Sequence, residues 1–275
     1  MAVSALVCQR CGADVLAGAA FCQNCGASLH VAAEGQADRM PWTPGDVLKA
    51  IGIVVAVLIG TSIPASIVAL VIAGSEDIEK DPLALTVALG ASVFLEIGLL
   101  WTAVHFSIRK YQLSWSALGL RWPQRGGFWT TAGLVFGLLI AGLVVSYAYF
   151  GALAEVGIEP DTEIEETFQS AGPLISLAML SLFFAPFAEE IFFRGFVFGG
   201  LRGRWGIGWA ALVSGGLFAL AHIGNPGTIY LLPPVAAIGA LFALGYAYSG
   251  SIYTSLLAHF LFNLFALGAG IAEYS

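Results

Sequence analysis

The chain has 275 residues, of which 58% are hydrophobic and only 11% are charged, and its mean hydropathy is +0.85. Because soluble domains carry about 25% charged residues, this composition excludes an ordinary soluble protein and indicates an integral membrane protein. The net charge of −7 and a sequence without a basic cluster argue against a nucleic-acid partner.

All four cysteines lie near the N terminus, in two similar knuckles. Residues 8–12 read C-Q-R-C-G and residues 22–26 read C-Q-N-C-G. This spacing predicts a zinc ribbon over residues 1–30, in which one tetrahedral Zn²⁺ is bound by Cys8, Cys11, Cys22 and Cys25. Four protein ligands leave no open position, so we expect the metal to be structural. The alternative is a pair of disulfides, which requires an oxidising compartment.

The next segment, residues 31–45, is rich in small and polar residues and contains two prolines. Such a composition predicts a flexible linker between the ribbon and a membrane domain at 46–275. Trp42, near its end, is expected at the membrane interface.

Seven apolar segments follow the linker. They cover residues 47–74, 83–108, 128–150, 173–200, 206–222, 229–249 and 251–272. About 20 apolar residues are needed to cross a bilayer, so the fifth segment is short. A break at a proline or a re-entrant piece would add one more helix. The predicted fold is therefore all-α, a polytopic transmembrane bundle of about seven to eight helices with a small N-terminal zinc ribbon.

The basic residues predict the orientation of these spans. They cluster between the second and third spans and after the fourth, at Arg109, Lys110, Arg121, Arg125, Arg202 and Arg204. By the positive-inside rule, the N terminus and the ribbon are cytosolic and the C terminus is outside. A reducing cytosol also suits thiolates bound to zinc. We expect the plasma membrane of a bacterium or an archaeon.

The fourth span contains a charged motif, P-F-A-E-E-I-F-F-R, at Pro186–Arg194. A charge at bilayer depth is costly and usually faces a partner inside the protein. Glu190 and Arg194 are four residues apart on a helix and can pair, whereas Glu189 points about a third of a turn away. Glu190 and Arg194 are then expected to form a structural pair, while Glu189 points at a different group. The simpler alternative is a buried ion pair that only fixes helix packing.

The later spans add further polar side chains. Phe218 and His222 share a helix face in F-A-L-A-H, and His259 and Asn263 share one in H-F-L-F-N. With Glu189, they place a carboxylate, two imidazoles and a carboxamide on three helices, a set that a bundle can bring together. This set suits hydrolysis, with the glutamate as general base and a histidine and the asparagine as oxyanion donors. Two histidines and a glutamate are also a catalytic zinc ligand set, and the sequence leaves both mechanisms open.

One feature fits this hypothesis poorly. With a rise of about 1.5 Å per residue, Glu189 and His259 reach similar depths, but His222 lies roughly 10 Å further out. A tilted fifth helix, or one that starts inside the bilayer after the turn at G-R-W-G-I-G, would remove the mismatch.

Three motifs carry a family resemblance. E-E-x-x-x-R at Glu189–Arg194, F-x-x-x-H at Phe218–His222 and H-x-x-x-N at His259–Asn263 resemble, in order and spacing, those of the CPBP family of CAAX proteases and bacteriocin-processing intramembrane proteases, also called Abi. The segment Leu113–Pro123 also resembles a stretch that precedes the core in that family. The resemblance covers roughly residues 110–270, with the motif core at about 173–270.

The resemblance implies an intramembrane endopeptidase that hydrolyses a membrane-associated peptide or protein. It implies that Glu189 and His222 activate water, that His259 and Asn263 form the oxyanion site, and that Glu190 and Arg194 support them. The family is described as both glutamate-dependent and metal-dependent, and we favour the former. The ribbon lies outside the family core, so an active-site metal would be separate from the ribbon's zinc.

Two other functions remain as alternatives. The chain can be a non-catalytic membrane adaptor or immunity protein that recruits a cytosolic protein through the ribbon. It can also be a transporter that relays protons through Glu96, Glu189 and histidines. Membrane lipid is a partner in every case. The sequence does not identify the substrate or say whether it is prenylated.

Overall fold

The computed structural model describes residues 6–274, apart from 9, 17–18, 28, 30–38, 75–77, 124, 161–164 and 225. Most of the predicted linker at 31–45 therefore lies outside the described residues. The ribbon contains two short antiparallel strands, β1 (Leu6–Val7) and β2 (Asp14–Val15). The rest of the described chain is mainly helical, with short connecting helices at Ile78–Lys80, Trp115–Leu118 and Glu165–Gln169.

Six of the described helices are long and apolar enough to cross a membrane. They are α1 (Pro44–Ala73), α2 (Pro82–Arg109), α3 (Gly127–Glu155), α4 (Ala171–Leu220), α5 (Gly227–Ser249) and α6 (Ile252–Tyr274). The predicted all-α transmembrane bundle is confirmed. Seven to eight spans were predicted because the two parts of α4, residues 173–200 and 206–222, are separate apolar segments in the sequence.

Helix α4 is 50 residues long and reverses its direction at Gly206. At about 1.5 Å per residue, a straight helix of this length would be more than twice as long as a bilayer core is thick. Gly206 has φ 79° and ψ 163°, a conformation that is essentially restricted to glycine. We call residues 171–205 the outgoing arm and residues 207–220 the return arm.

The two arms of α4 run antiparallel. The Ser214 hydroxyl donates to the Phe193 carbonyl at 2.8 Å, and the rings of Phe193 and Phe218 are 5.3 Å apart. The reversal brings Phe218 back to the level of the charged motif. The short fifth predicted span, residues 206–222, therefore folds back beside the fourth predicted span and reaches the level of its charged motif.

Small residues let the return arm pack closely along α5. A Cβ atom at Gly215 would lie 2.4 Å from the Ala236 carbonyl oxygen, and one at Gly239 would lie 2.9 Å from the Cα atom of Gly215. Close backbone approach of this kind is typical of helix pairs in membranes. Helix α3 packs against α5 and α6, while α1 packs against α2, so the motif helices lie between two flanking helices.

The start of α1 is held by a capping box and an ion pair. Thr43 and Asp46 bond each other's backbone N–H groups, and Pro44 follows the cap. Asp46 also accepts hydrogen bonds from Lys110 at 2.5 Å and Tyr111 at 2.8 Å. The hydrogen bond to Asp46 raises the pKa of Lys110, and burial followed by the bond to Asp46 raises the pKa of Tyr111. These contacts tie α1 to the end of α2.

Trp42 is fully buried, although the sequence predicts it at the membrane interface. Its indole N–H donates to the Phe196 carbonyl at 2.9 Å, and the two rings are stacked at 6.0 Å. A Cβ atom at Gly200 would lie 2.4 Å from the indole nitrogen, so only glycine leaves room for the ring. The last residues of the predicted linker are therefore packed against the outgoing arm of α4.

Candidate functional site

The charged motif lies where the backbone hydrogen bonding of α4 changes between the α-helical and the π-helical pattern. Leu180–Phe184 and Glu190–Phe198 are π-helical, and the short α-helical stretch Ala185–Glu189 lies between them. Pro186 has no backbone N–H, which accounts for a break in the regular ladder at this point. π-Helical segments are rare and often occur at functional sites, which makes this region of α4 a candidate site.

Glu190 and Arg194 form a fully buried ion pair. The Arg194 Nη1 atom is 2.9 Å from Glu190 Oε1, and neither side chain is exposed. Arg194 Nη2 also donates to the Gly239 carbonyl of α5 at 3.3 Å. The ring of Phe218 lies 4.3 Å from the guanidinium carbon, close enough for a cation–π contact. The pair therefore joins both arms of α4 to α5.

His259 of α6 lies between the two motif glutamates. Its Nδ1 is 3.2 Å from Glu190 Oε1, and its Nε2 is 3.7 Å from Glu189 Oε2. The first distance is a hydrogen bond, whereas the second is longer than one. The rings of Phe218 and Phe242 enclose the imidazole at 5.6 Å and 5.4 Å. Glu190 thus orients His259 so that its other nitrogen faces Glu189.

His222 follows the end of α4 and approaches this group through Phe218. Its Nδ1 is 2.8 Å from the Phe218 carbonyl oxygen, and the two rings are 4.7 Å apart. Because a carbonyl only accepts, Nδ1 carries the proton in this bond, and in a neutral ring Nε2 is then the nitrogen that accepts. The Phe218 ring lies against both His222 and His259.

Asn263 lies one helical turn beyond His259 and contacts the outgoing arm of α4. Its side-chain amide donates to the Ser181 carbonyl at 2.8 Å. Ser181 belongs to the first π-helical segment, where the backbone hydrogen bonding is irregular and a carbonyl group can accept a bond from a side chain. One of the two amide hydrogens of Asn263 is thus used to join α6 to the outgoing arm of α4.

The structure also packs the helix that carries Glu96 against this part of α4. Glu96 lies midway along α2 with 7% of its surface exposed, and it interacts electrostatically with Glu189. From the sequence, Glu96 is a candidate only for a transport pathway, because its helix carries no recognisable motif. Its charge at bilayer depth was the one available signal, and the partner was visible only in three dimensions.

The four cysteines are close enough to share one metal ion. The Sγ atoms of Cys8 and Cys25 are 3.7 Å apart, as are those of Cys11 and Cys22, and all four lie within 4.8 Å of one another. A tetrahedron of Zn–S bonds of about 2.3 Å has edges of roughly 3.8 Å, whereas a disulfide bond is about 2.05 Å long. The cysteines are free thiols in this arrangement, which fits a structural metal site.

The two knuckles have the same local turn. The Gly12 and Gly26 N–H groups donate to the Cys8 and Cys22 carbonyls, both at 2.8 Å, and both glycines have positive φ angles. Glycine adopts this conformation without strain, as the knuckle requires.

The second knuckle is docked on the membrane domain. The Ser114 backbone N–H donates to the Gln23 carbonyl at 3.0 Å, and the hydroxyls of Ser114 and Ser116 both donate to the Asn24 carbonyl. Ser114 precedes the short 3₁₀ helix Trp115–Leu118, and Ser116 lies within it. The ribbon is therefore in contact with the loop that joins α2 and α3.

The same loop also touches both helices that carry the candidate site. The Leu118 carbonyl lies so close to Gly195 that a Cβ there would be 2.6 Å away. The Ile252 N–H, at the start of α6, donates to the Gly119 carbonyl at 2.9 Å. The loop thus lies between the ribbon and the helices that carry Glu190 and His259.

Comparisons with known proteins agree with two family-level expectations. Residues 171–265 match the family described as type II CAAX prenyl endopeptidase Rce1-like, and residues 7–29 match the zinc-ribbon domain family. The first segment includes all three motifs. The expected CAAX-protease-type segment and N-terminal zinc ribbon are thereby confirmed.

A relative shares part of the chain. The Bacillus subtilis (strain 168) protein named "Putative membrane peptidase YdiL" is 27% identical over 140 residues, which are 50% of this chain and 54% of that protein. The match therefore spans about half the length of the relative. No solved structure matches the chain.

Proposed function

We propose that the chain is an intramembrane endopeptidase that hydrolyses a peptide bond of a membrane-associated peptide or protein. The observation that carries this proposal is the position of His259 between Glu189 and Glu190, at 3.7 Å and 3.2 Å, within the segment that matches the CAAX-protease family. A buried carboxylate and an imidazole at this separation are close enough to contact one small reactant that lies beside them. The name of the Bacillus subtilis relative supports the same activity class.

In this proposal, Glu189 is the general base and takes a proton from water. His222 holds the same water through its Nε2, because its Nδ1 is occupied by the Phe218 carbonyl. The oxygen of the water then forms a bond to the carbonyl carbon of the substrate. The proton on Glu189 passes to the leaving amine when the C–N bond breaks, so Glu189 ends the reaction ionised.

His259 and Asn263 are proposed to stabilise the oxyanion. His259 donates through Nε2 only when both ring nitrogens are protonated, because its Nδ1 is directed at the Glu190 carboxylate. Asn263 contributes the amide hydrogen that Ser181 does not use. Glu190 and Arg194 position His259 and do not touch the substrate.

We favour a glutamate-dependent mechanism over a metal-dependent one. Among the described residues, the one set of three or more closely spaced metal-binding side chains is the cysteine cluster of the ribbon. Glu189, His222 and His259 do not form such a set among the described residues. The ribbon is proposed to bind zinc, and metal analysis of the full chain is expected to find one zinc ion that is lost when Cys25 is replaced by Ser.

A comparison of membrane proteomes tests the proposed activity. Membranes that contain the wild-type chain are compared with membranes that contain Glu189→Gln, which keeps the shape of the side chain but cannot act as a base. We expect uncut precursors to accumulate in the variant, with cleavage slower by a factor of about 10² to 10⁴. Cleavage of the same precursors at the wild-type rate by Glu189→Gln would refute the mechanism.

A further inference from the structure

Glu96 is a buried acid that the proposed mechanism does not use. Its helix, α2, packs against the part of α4 that contains Glu189 and Glu190. Among the residues that the structure describes, the Oε2 atom of Glu96 has no hydrogen-bond partner. Glu96 also interacts electrostatically with Glu189. A third buried carboxyl group therefore lies on a helix that packs against the two motif glutamates.

The charges around the site do not balance if all three glutamates are ionised. Arg194 is committed to Glu190 at 2.9 Å, and His259 contacts Glu190 and Glu189. Even with His259 protonated, these two cations match only two carboxylates. Glu96 is left without a cation, and a buried carboxylate without a partner is very unfavourable.

Two neighbouring carboxyl groups rarely ionise together. The repulsion between the charges favours one ionised and one neutral group, with the proton on the group whose surroundings stabilise its charge less. Glu189 faces His259 and interacts with Arg194, whereas Glu96 interacts with the negative charge of Glu189. The extra proton therefore belongs on Glu96.

We propose that Glu96 is a third carboxyl group of this site, that it remains an uncharged carboxylic acid, and that it thereby leaves Glu189 as the ionised base. The role of Glu189 rests on the proposed function, whereas the uncharged state of Glu96 does not. Glu96 keeps its proton throughout the reaction, so the proton balance of hydrolysis is unchanged. It is a positioning residue and is not itself the base.

Infrared spectroscopy tests the uncharged state without any substrate. The purified full chain at neutral pH is compared with Glu96→Gln and with Thr102→Val, a buried polar residue of the same helix whose hydroxyl bonds its own helix backbone. We expect the carbonyl stretching band of a protonated carboxylic acid in the wild type and in Thr102→Val, and its loss in Glu96→Gln. An equal band in Glu96→Gln would overturn the proposal.

The cleavage of precursors tests the role in catalysis. For the precursors that accumulate with Glu189→Gln, we expect Glu96→Gln to cleave within about fivefold of the wild-type rate and Glu96→Leu to be slower by at least about tenfold. Glutamine rescues because it is uncharged and polar, like the proposed acid. Equal losses in both variants, or full activity of Glu96→Leu, would overturn the role of Glu96.

The pH dependence of cleavage distinguishes an uncharged Glu96 from an ionised one. If Glu96 is uncharged, Glu96→Gln leaves the acid limb of the rate profile in place. If Glu96 is ionised, its replacement removes a repelling charge from Glu189, and the limb moves to lower pH. If no precursor accumulates with Glu189→Gln, the proposed function fails, while the infrared result still decides the state of Glu96.

Discussion

At the scale of single residues, two adjacent glutamates have different surroundings. Glu190 is fully buried, pairs with Arg194 and orients His259, whereas Glu189 is directed at the other nitrogen of His259. Helix geometry separates their directions by about 100° per residue, so neighbours in sequence face different partners. This difference predicts that the same substitution has different effects at the two positions.

Glu190→Gln is expected to destabilise the protein, because it leaves the Arg194 cation buried without its partner. Breaking a buried pair costs about 3 to 5 kcal/mol. Thermal unfolding of the detergent-solubilised chain measures the loss, and Glu189→Gln is the matched control, expected to unfold near the wild-type temperature. The double variant Glu190→Leu with Arg194→Met should recover much of the stability because no charge is left unpaired. Equal melting of Glu190→Gln and the wild type would contradict the pairing argument.

At the scale of elements, the reversal of α4 determines which residues can meet. The return arm brings Phe218 against Arg194, and the rings of His222 and His259 both contact the Phe218 ring. Glycine is required at position 206 because its φ and ψ angles are accessible to few other residues. The turn is thus a structural requirement for the candidate site.

Gly206→Ala is expected to reduce the free energy of unfolding by about 1 to 3 kcal/mol, the cost of a strained backbone conformation. It should also impair cleavage, since Phe218 and His222 depend on the return arm. Gly208→Ala is the control, because Gly208 has an ordinary helical conformation and an added Cβ would meet nothing within 4 Å. If the two alanine variants have the same stability, the turn does not require glycine.

The contacts of the segment before α1 predict that the stability of N-terminally truncated chains drops once Trp42 is removed. A chain that begins at residue 39 keeps Trp42, whereas one that begins at residue 44 loses a fully buried indole and its bond to Phe196. Removing a buried tryptophan costs about 3 to 5 kcal/mol, so the shorter chain should unfold at a lower temperature. Trp42→Ala in the full chain should reproduce the loss. Identical unfolding of the two truncated chains would contradict the anchoring role.

At the scale of the whole molecule, the ribbon and the candidate site are connected through one loop. The ribbon contacts Ser114 and Ser116, and the same loop contacts Gly195 of α4 and Ile252 of α6. The ribbon must therefore be on the membrane side to which this loop belongs. The basic residues of the loop predict that this side is the cytosol.

Reporter fusions test this orientation. Fusions at Arg125 and Arg204 should report the cytosol, and a fusion at Glu163 should report the outside, because Lys and Arg are retained on the cytosolic side. The fusions at Arg125 and Arg204 serve as controls for each other, since both follow from the same rule. A cytosolic signal at Glu163 would reverse the orientation and remove the argument that the ribbon's thiols are kept reduced.

The sequence alone was sufficient for features that depend on composition and short spacing. Apolar segments indicate membrane helices because an unbonded backbone is not tolerated in lipid. Two C-x-x-C-G knuckles indicate a metal ribbon because the turn and the ligands are local. The pairing of Glu190 with Arg194 was also foreseeable, since the two residues are one helical turn apart.

Only the tertiary structure decided which distant groups meet. The contact of His259 with both motif glutamates, the approach of Glu96 to Glu189 and the burial of Trp42 all join residues far apart in the chain. Such contacts depend on helix rotation, on the reversal at Gly206 and on close packing through glycines. Hydropathy cannot reveal them, because it measures how deeply a segment prefers to lie in lipid and not which face it turns to its neighbours.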